Sequence, residues 1–283
     1  MIPAPFDYYA PTSVEEAVRL LGSSGDDVKV LAGGQSLLPV LKLRLAAPEV
    51  VVDLGRIPSL VGVREEGDRL VIGAMTPHAD MEADPLVAQH AALLARASQT
   101  VADPQVRHRG TFGGALVHAD PAGDMPAPAL AMDAQFVIAG PTGIRTVAAS
   151  DFFVDLFTTA VGEDEILTEV RVPKFTGWGA HYEKFTRVAQ QWSIVAVAAM
   201  VRTDGGAIAE ARVALTNMGA VPIRAHSVER ALVGVAVEEG AIGAAMAGIT
   251  EGTDPPTDTN GDGAYRSHLA GVLARRAVLT AAG

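Results

Sequence analysis

The chain has 283 residues, 49% of them hydrophobic and 5% aromatic, with a formal net charge of −11. That length accommodates two domains, or a two-lobed domain plus one more, with cores filled mainly by Ala, Val and Leu. The acidic balance argues against general nucleic-acid binding, which needs clustered Lys and Arg, and the absence of cysteine excludes disulfides, thiol catalysis and an iron–sulfur cluster held by this chain.

The start, Met1-Ile2-Pro3-Ala4-Pro5-Phe6-Asp7, has no basic residue and no apolar segment, so no signal peptide is expected. No run of about eighteen apolar residues suggests a membrane span, and a cytoplasmic protein is the expectation. In chain order, the pattern predicts a short strand over 6–9 and a helix opened by the capping box Ser13-Val14-Glu15-Glu16 and running through Leu21. Gly22 to Asp27 breaks it. Val28-Lys29-Val30-Leu31 reads as a strand, Leu37 to Leu43 as a helix start, and Val50 to Asp53 as a buried strand, which together make a small α/β lobe of residues 1–56. Residues 61–64 and 69–72 form a hairpin. Thr76-Pro77 reads as an N-cap with Pro at the first helical position, and a helix, whole or in two pieces, covers 85–99. A helix over 126–132 and strands over 135–139, 143–147 and 166–172 complete a second lobe of residues 57–176. Thr176-Gly177-Trp178-Gly179 marks a joint. Beyond it, 196–202 and 207–216 flank the hairpin turn Thr203-Asp204-Gly205-Gly206, and helices follow near 224–233, 238–249 and 263–280. The expected class is α+β: a two-lobed domain over 1–176, then a C-terminal domain over 177–283 with a small antiparallel sheet and helices.

Two glycine-rich stretches stand out. Ala32-Gly33-Gly34-Gln35-Ser36 lies between a strand and a helix start, where glycines let the main chain approach a ligand and consecutive N–H groups form a concave anion site. By itself this is equally an ordinary strand-to-helix turn, and neither G-x-G-x-x-G nor G-x-x-x-x-G-K-[ST] is present. Thr111-Phe112-Gly113-Gly114-Ala115 repeats the chemistry about eighty residues later. Asp120-Pro121-Ala122-Gly123-Asp124 follows. A carboxylate repels phosphate, so these aspartates either cap a turn or accept hydrogen bonds from sugar or ribityl hydroxyls. Two anion loops and a hydroxyl acceptor suit a ligand with a central diphosphate.

These two motifs, with Leu37-Leu38-Pro39 after the first and Ala102-Asp103-Pro104-Gln105-Val106-Arg107-His108-Arg109-Gly110 before the second, resemble the FAD-binding medium subunit of the molybdenum hydroxylases, carbon monoxide dehydrogenase type, over the whole chain. The resemblance implies a two-lobed domain of the vanillyl-alcohol-oxidase type with noncovalent FAD between its lobes. It implies that the backbone of Ala32 to Ser36 and of Thr111 to Ala115 holds the diphosphate, that Asp124 binds a ribityl or ribose hydroxyl, and that Val101 lies on the adenine side. Leu167 and Lys184 would flank the isoalloxazine, with Gln191, Trp192 and Ser193 in the loop over the ring. Relatives usually carry Ser or Asn where this chain has Ala115; one hydrogen bond, worth about 1.5–3 kcal/mol to a charged group, would be lost. The implied partners are a small [2Fe–2S] subunit and a large molybdopterin subunit, two such trimers forming a heterohexamer. Electrons would leave FAD for a quinone, NAD⁺ or O₂. The competing readings are a non-redox diphosphate-binding protein and a stand-alone flavin reductase.

Asp258-Thr259-Asn260-Gly261-Asp262-Gly263 matches the opening of a calcium loop, but Leu269 occupies the twelfth position, where a bidentate Glu is required; a capped helix start is expected instead. The seven histidines have no metal spacing, and His118, near the second stretch, is read as packing or solvent-facing. By residue type alone, Lys184 is a solvated strand residue and Trp192 is either a lid or core. No nucleophile–base pair supports hydrolase chemistry.

Overall fold

A computed structural model describes every residue except Met1 and Asp26, the latter inside the expected break after the first helix. The first unit is a parallel three-stranded sheet, β1 (Asp7–Tyr9), β2 (Val28–Leu31) and β3 (Val50–Asp53), with β3 central. Parallel neighbours need crossovers, which are supplied by α1 (Val14–Ser23) and α2 (Leu37–Lys42). Ser13 caps α1 by accepting the Glu16 N–H, 3.1 Å, while Glu16 reaches back one residue further than a capping box requires, to the Thr12 N–H at 2.9 Å.

The second unit is an antiparallel sheet in the order β4 (Val63–Glu66), β5 (Arg69–Gly73), β10 (Ile166–Pro173), β6 (Gln135–Gly140), β7 (Gly143–Ala148). Between β5 and β6 run α3 (His78–Ala83), α4 (Pro85–His90), α5 (Ala92–Gln99), α6 (Pro104–Arg107), α7 (Phe112–His118) and α8 (Pro126–Ala131). Two expectations change here. Thr76 does not cap α3, whose N-cap is Pro77; the Thr76 hydroxyl is taken by the Gly62 backbone, accepting its N–H at 2.9 Å. The pair Gly113-Gly114 is not an open loop but the first turn of α7, because Thr111 Oγ1 accepts the Gly114 N–H and so nucleates a helix there. The sequence reading also missed α9 (Ala149–Phe152) and the hairpin β8 (Phe153–Asp155) and β9 (Thr158–Thr159), whose exposed Val154, Leu156 and Phe157 give no alternating pattern.

The third unit is the antiparallel sheet β11 (Gly179–Phe185), β12 (Val195–Asp204), β13 (Ala207–Thr216), β14 (Ile223–Arg224), followed by α10 (His226–Leu232), α11 (Glu239–Ala245) and α12 (Gly263–Ala282). The turn between β12 and β13 uses Gly205 at φ 56° and Gly206 at φ 81°, as a two-residue hairpin demands. The helix expected over 238–249 is α11 plus a 3₁₀ turn. Asp262 caps α12 through the Tyr265 N–H, 2.7 Å, so the calcium-like motif is a helix start.

β12 explains how the units join. Its seven residues Val195–Val201 are all buried, yet they serve two cores: Ala196, Ala198 and Met200 pack with α5, α8 and the five-stranded sheet, while Val195, Val197, Ala199 and Val201 pack under α12. Strand periodicity puts alternate residues on opposite faces, so this strand is a shared wall and reads as one unbroken apolar run. Asp133 adds a polar clasp across the same joint: Arg224 Nη1 lies 2.8 Å from it, Arg212 also pairs with it, and Arg212 stacks on Phe175, 5.0 Å to the ring centroid. Burial raises the Asp133 carboxyl, but the two guanidiniums outweigh it and hold it below the usual range. Because Asp133 is half exposed, solvent screens the pair. Asp133→Ala is expected to cost about 1 kcal/mol, read as a lower midpoint in thermal unfolding, with the loss shrinking in high salt.

Candidate cofactor site

The two glycine stretches meet. A Cβ on Gly33 would stand 2.0 Å from the Arg109 carbonyl oxygen and 2.7 Å from Gly110 Cα, and one on Gly114 would stand 3.1 Å from Ala32 Cβ. Only glycine fits at Gly33, since its obstacle is backbone and has no rotamer to give. The second stretch is fastened in turn to the end of β5. Phe112 donates its N–H to Thr76 O at 2.9 Å, His78 donates to Gly110 O at 3.0 Å, and Gly113 donates to Ala74 O at 2.7 Å.

The two stretches differ in what they offer a ligand. The N–H groups of Gly33, Gly34, Gln35 and Ser36 donate to no acceptor among the described residues. Four consecutive unpaired amides are an anion cradle by construction. The amides of Phe112, Gly113, Gly114 and Ala115 are all spent on internal bonds, the last on Thr111 O at 3.0 Å. Tertiary bonds to Thr76 O and Ala74 O and the start of α7 consume the donors that the sequence seemed to leave open; only the Thr111 N–H donates to no described acceptor.

A buried polar cluster centres on Asp124. Asp124, 6% exposed, accepts from Lys184 Nζ at 2.7 Å on one oxygen, and from Tyr182 Oη at 2.9 Å and Ser193 Oγ at 3.1 Å on the other. Lys184 Nζ also donates to Thr100 O at 3.0 Å, next to Val101, whose own carbonyl accepts from Arg107 Nη1 at 3.1 Å. Burial pushes the Asp124 carboxyl up, against the pull of the Lys184 ammonium, and burial followed by the Asp124 charge pushes the Tyr182 phenol well up. Asp124 thus anchors Lys184, Tyr182 and Ser193. Asp120 caps a turn: Oδ1 accepts the Ala122 N–H at 2.9 Å. Tyr182 was missed by sequence reasoning. The signal was there, since Ala180, Tyr182 and Lys184 alternate on one face of β11.

Ser193 lies two residues before β12 and Trp192 precedes it, 54% exposed, so Trp192 is not core. Asn217 fixes this corner by donating Nδ2 to Ser193 O at 2.8 Å and Ile194 O at 3.2 Å. A cleft of about 570 Å³ opens here, with Leu156, Phe157 and Trp192 on its apolar side and Asp120, Asp254 and Asp258 among its polar residues. His118 packs on Phe157 at 5.3 Å, as expected of a packing ring. Leu167 sits 4% exposed in the central core, at a bulge of β10. Among the described residues no cluster of His, Asp and Glu could hold a metal, and no helix is long and apolar enough to cross a membrane.

His78 lies under Gly110, buried, with Nδ1 unpaired. Burial, with a smaller push from Arg107, lowers its pKa to about 4. Unfolded, it titrates near its ordinary 6.5. The unfolded state therefore takes up a proton that the fold refuses, and stability falls as pH drops from about 6.5 to about 4, by up to about 3 kcal/mol. His78→Gln is expected to flatten that limb of a urea-midpoint-against-pH curve and to leave the limb above pH 7 unchanged.

Comparison with known proteins agrees with this geometry. The family model "FAD binding domain in molybdopterin dehydrogenase" matches residues 4–175, and "CO dehydrogenase flavoprotein C-terminal domain" matches 180–281. The chain is similar to the carbon monoxide dehydrogenase medium chain of Hydrogenophaga pseudoflava, 44% identical over 281 residues, 98% of this chain and 97% of that one. It is 37% identical to the nicotine 6-hydroxylase medium subunit of Paenarthrobacter nicotinovorans, over 97% and 96% of the two chains. The structure superposes on quinoline 2-oxidoreductase from Pseudomonas putida 86 with a TM-score of 0.95 at 33% identity, covering 100% and 98%. With an anion cradle, a buried polar cluster and likeness over its full length all in accord, the chain belongs to the FAD-binding medium subunits of the molybdenum hydroxylases, a family of oxidoreductases.

Proposed function

We propose that this chain holds FAD as the electron-relay subunit of a molybdenum hydroxylase, receiving electrons from [2Fe–2S] clusters on a small subunit and releasing them to an external acceptor, with substrate oxidised on a large molybdopterin subunit. The observation that carries the reading is the row of four unpaired amides, Gly33 to Ser36, packed against the second stretch. In this reading residues 1–176 form the two-lobed FAD domain and 177–283 the C-terminal domain. The amide row and the Thr111 N–H take the diphosphate, with Gly114 and Ala115 as a side-chain-poor floor over the buried Phe112 and Gly113. Asp124 positions Lys184 against the ring system and accepts from a ligand hydroxyl, Val101 borders the adenine side, Leu167 backs the ring, and Trp192 covers it. FAD supplies two-electron chemistry that no side chain provides, and the protein's task is to hold and shield it. The relatives' names, carbon monoxide dehydrogenase and nicotine 6-hydroxylase, differ in substrate, which supports a reading with the substrate site on the large subunit.

The cleft at Trp192 is the route by which the acceptor reaches the ring. Its aromatic wall, three carboxylates and lack of Lys or Arg among the described lining favour an uncharged quinone over the anionic pyrophosphate of NAD⁺. The test is direct. Purified chain titrated with FAD should quench flavin fluorescence stoichiometrically, bleach with dithionite, and be reoxidised faster by menadione than by a sulfonated naphthoquinone. No spectral change on adding FAD rejects the flavin readings in favour of a non-redox ligand. FAD binding without partner chains in the native host leaves a stand-alone reductase.

A further inference from the structure

The helix that follows the amide row ends in an unusual way. Leu45 donates its N–H to Val40 O at 3.0 Å and Arg44 donates to Leu41 O at 3.0 Å, the paired bonds of a Schellman stop. The left-handed position of such a stop favours glycine; here Arg44 occupies it at φ 57°. The apolar residue after it would ordinarily pack back on the helix, but Leu45 is 75% exposed and Leu43 is 56% exposed. Arg44 Nε donates to Ile2 O at 3.2 Å, which brings a third apolar residue, 80% exposed, to the same place. Lys42 and Arg44 are exposed and form no ion pair with the described residues, on a chain of net charge −11. The result is a ridge of Ile2, Leu43 and Leu45 edged by two free cations, one short helix away from Gly33–Ser36.

We propose that this ridge seats the electron-donating partner subunit through an apolar strip edged by Asp or Glu; the proposal rests on the reading of the chain as a relay subunit. Clustered exposed aliphatic side chains mark interfaces, and cations on an otherwise acidic molecule select and steer an acidic face. A strained arginine where glycine would relax the backbone persists where the side chain is needed. A second copy fits poorly, because two-fold symmetry sets a patch against itself and would bring Lys42 and Arg44 against their own equivalents.

The test uses the tagged chain purified from its native host, with FAD, iron and molybdenum measured together. Wild type should carry all three. Leu43→Ser/Leu45→Ser and, separately, Lys42→Glu/Arg44→Glu should keep wild-type FAD content and lose at least tenfold in iron and molybdenum per FAD, whereas Val233→Ser, exposed elsewhere, should lose none. Wild-type metal ratios in both ridge variants overturn the ridge while leaving the relay reading standing. Wild type that carries FAD but no iron or molybdenum removes the relay reading and the ridge with it. A dimer of the isolated chain that the ridge variants break assigns the ridge to a second copy and overturns the proposal, as does variant-sensitive sedimentation with phosphatidylglycerol vesicles.

Discussion

Gly33→Val is expected to weaken FAD binding by about two orders of magnitude while the chain still folds. The added Cβ would be 2.0 Å from the Arg109 carbonyl oxygen, so the two glycine stretches must part, and the amide row moves with the first of them. Overpacking against side chains costs typically about 1–3 kcal/mol, and here the obstacle is backbone, so the upper end applies. About 2.7 kcal/mol is a hundredfold in affinity. Gly34→Ala makes the comparison sharp. Gly34 has φ +77° and its nearest obstacle is the flexible Leu38 side chain, so its cost is backbone strain of about 1–2 kcal/mol and a smaller loss of affinity. Fluorescence titration with FAD reads both. Equal, small effects would mean that the stretches need not touch to bind.

Lys184→Met is expected to lower the thermal midpoint by about 10 °C, the second large effect. The side chains of Lys184 and Asp124 are 9% and 4% exposed, and removing one partner of a buried pair strands the other, at about 3–5 kcal/mol. Each kcal/mol shifts the midpoint of a chain this size by about 2–4 °C. Stranded, the Asp124 carboxyl is pushed further up by burial, so the deficit should grow as pH rises. The sign follows from linkage: a carboxyl whose folded pKa is raised disfavours the fold above its unfolded pKa and is relieved as pH falls through the folded one. Lys184→Met/Asp124→Asn should recover much of the loss, because no charge is then buried alone. A double variant as unstable as the sum of the singles would show that the two residues act independently.

Much of the architecture was legible because local signals agreed with one another. The Ser13 cap, the Gly205-Gly206 turn, the Pro85 helix start and the Asp262 cap each satisfy backbone donors or a positive φ within a few residues, and each stands where the pattern placed it. The hairpin β8–β9 failed that test: it is two short strands in which Phe153 alone is buried, too little to impose alternation.

The site divides the same way. The chain's own order of residues determined that a Gly-Gly turn follows a strand, that no cysteine can hold a cluster here, and that residue types for an anion cradle occur twice. Those are properties of covalent geometry and composition, which need no partner. Only the tertiary structure decided which amides remain free, because that depends on where Thr76 O, Ala74 O and Thr111 Oγ1 come to rest; they claim the second stretch and leave the first. It likewise decided that Lys184, by type a solvated strand residue, is buried against Asp124, since a charge can leave water only where a distant carboxylate and the carbonyl of Thr100 arrive to meet it.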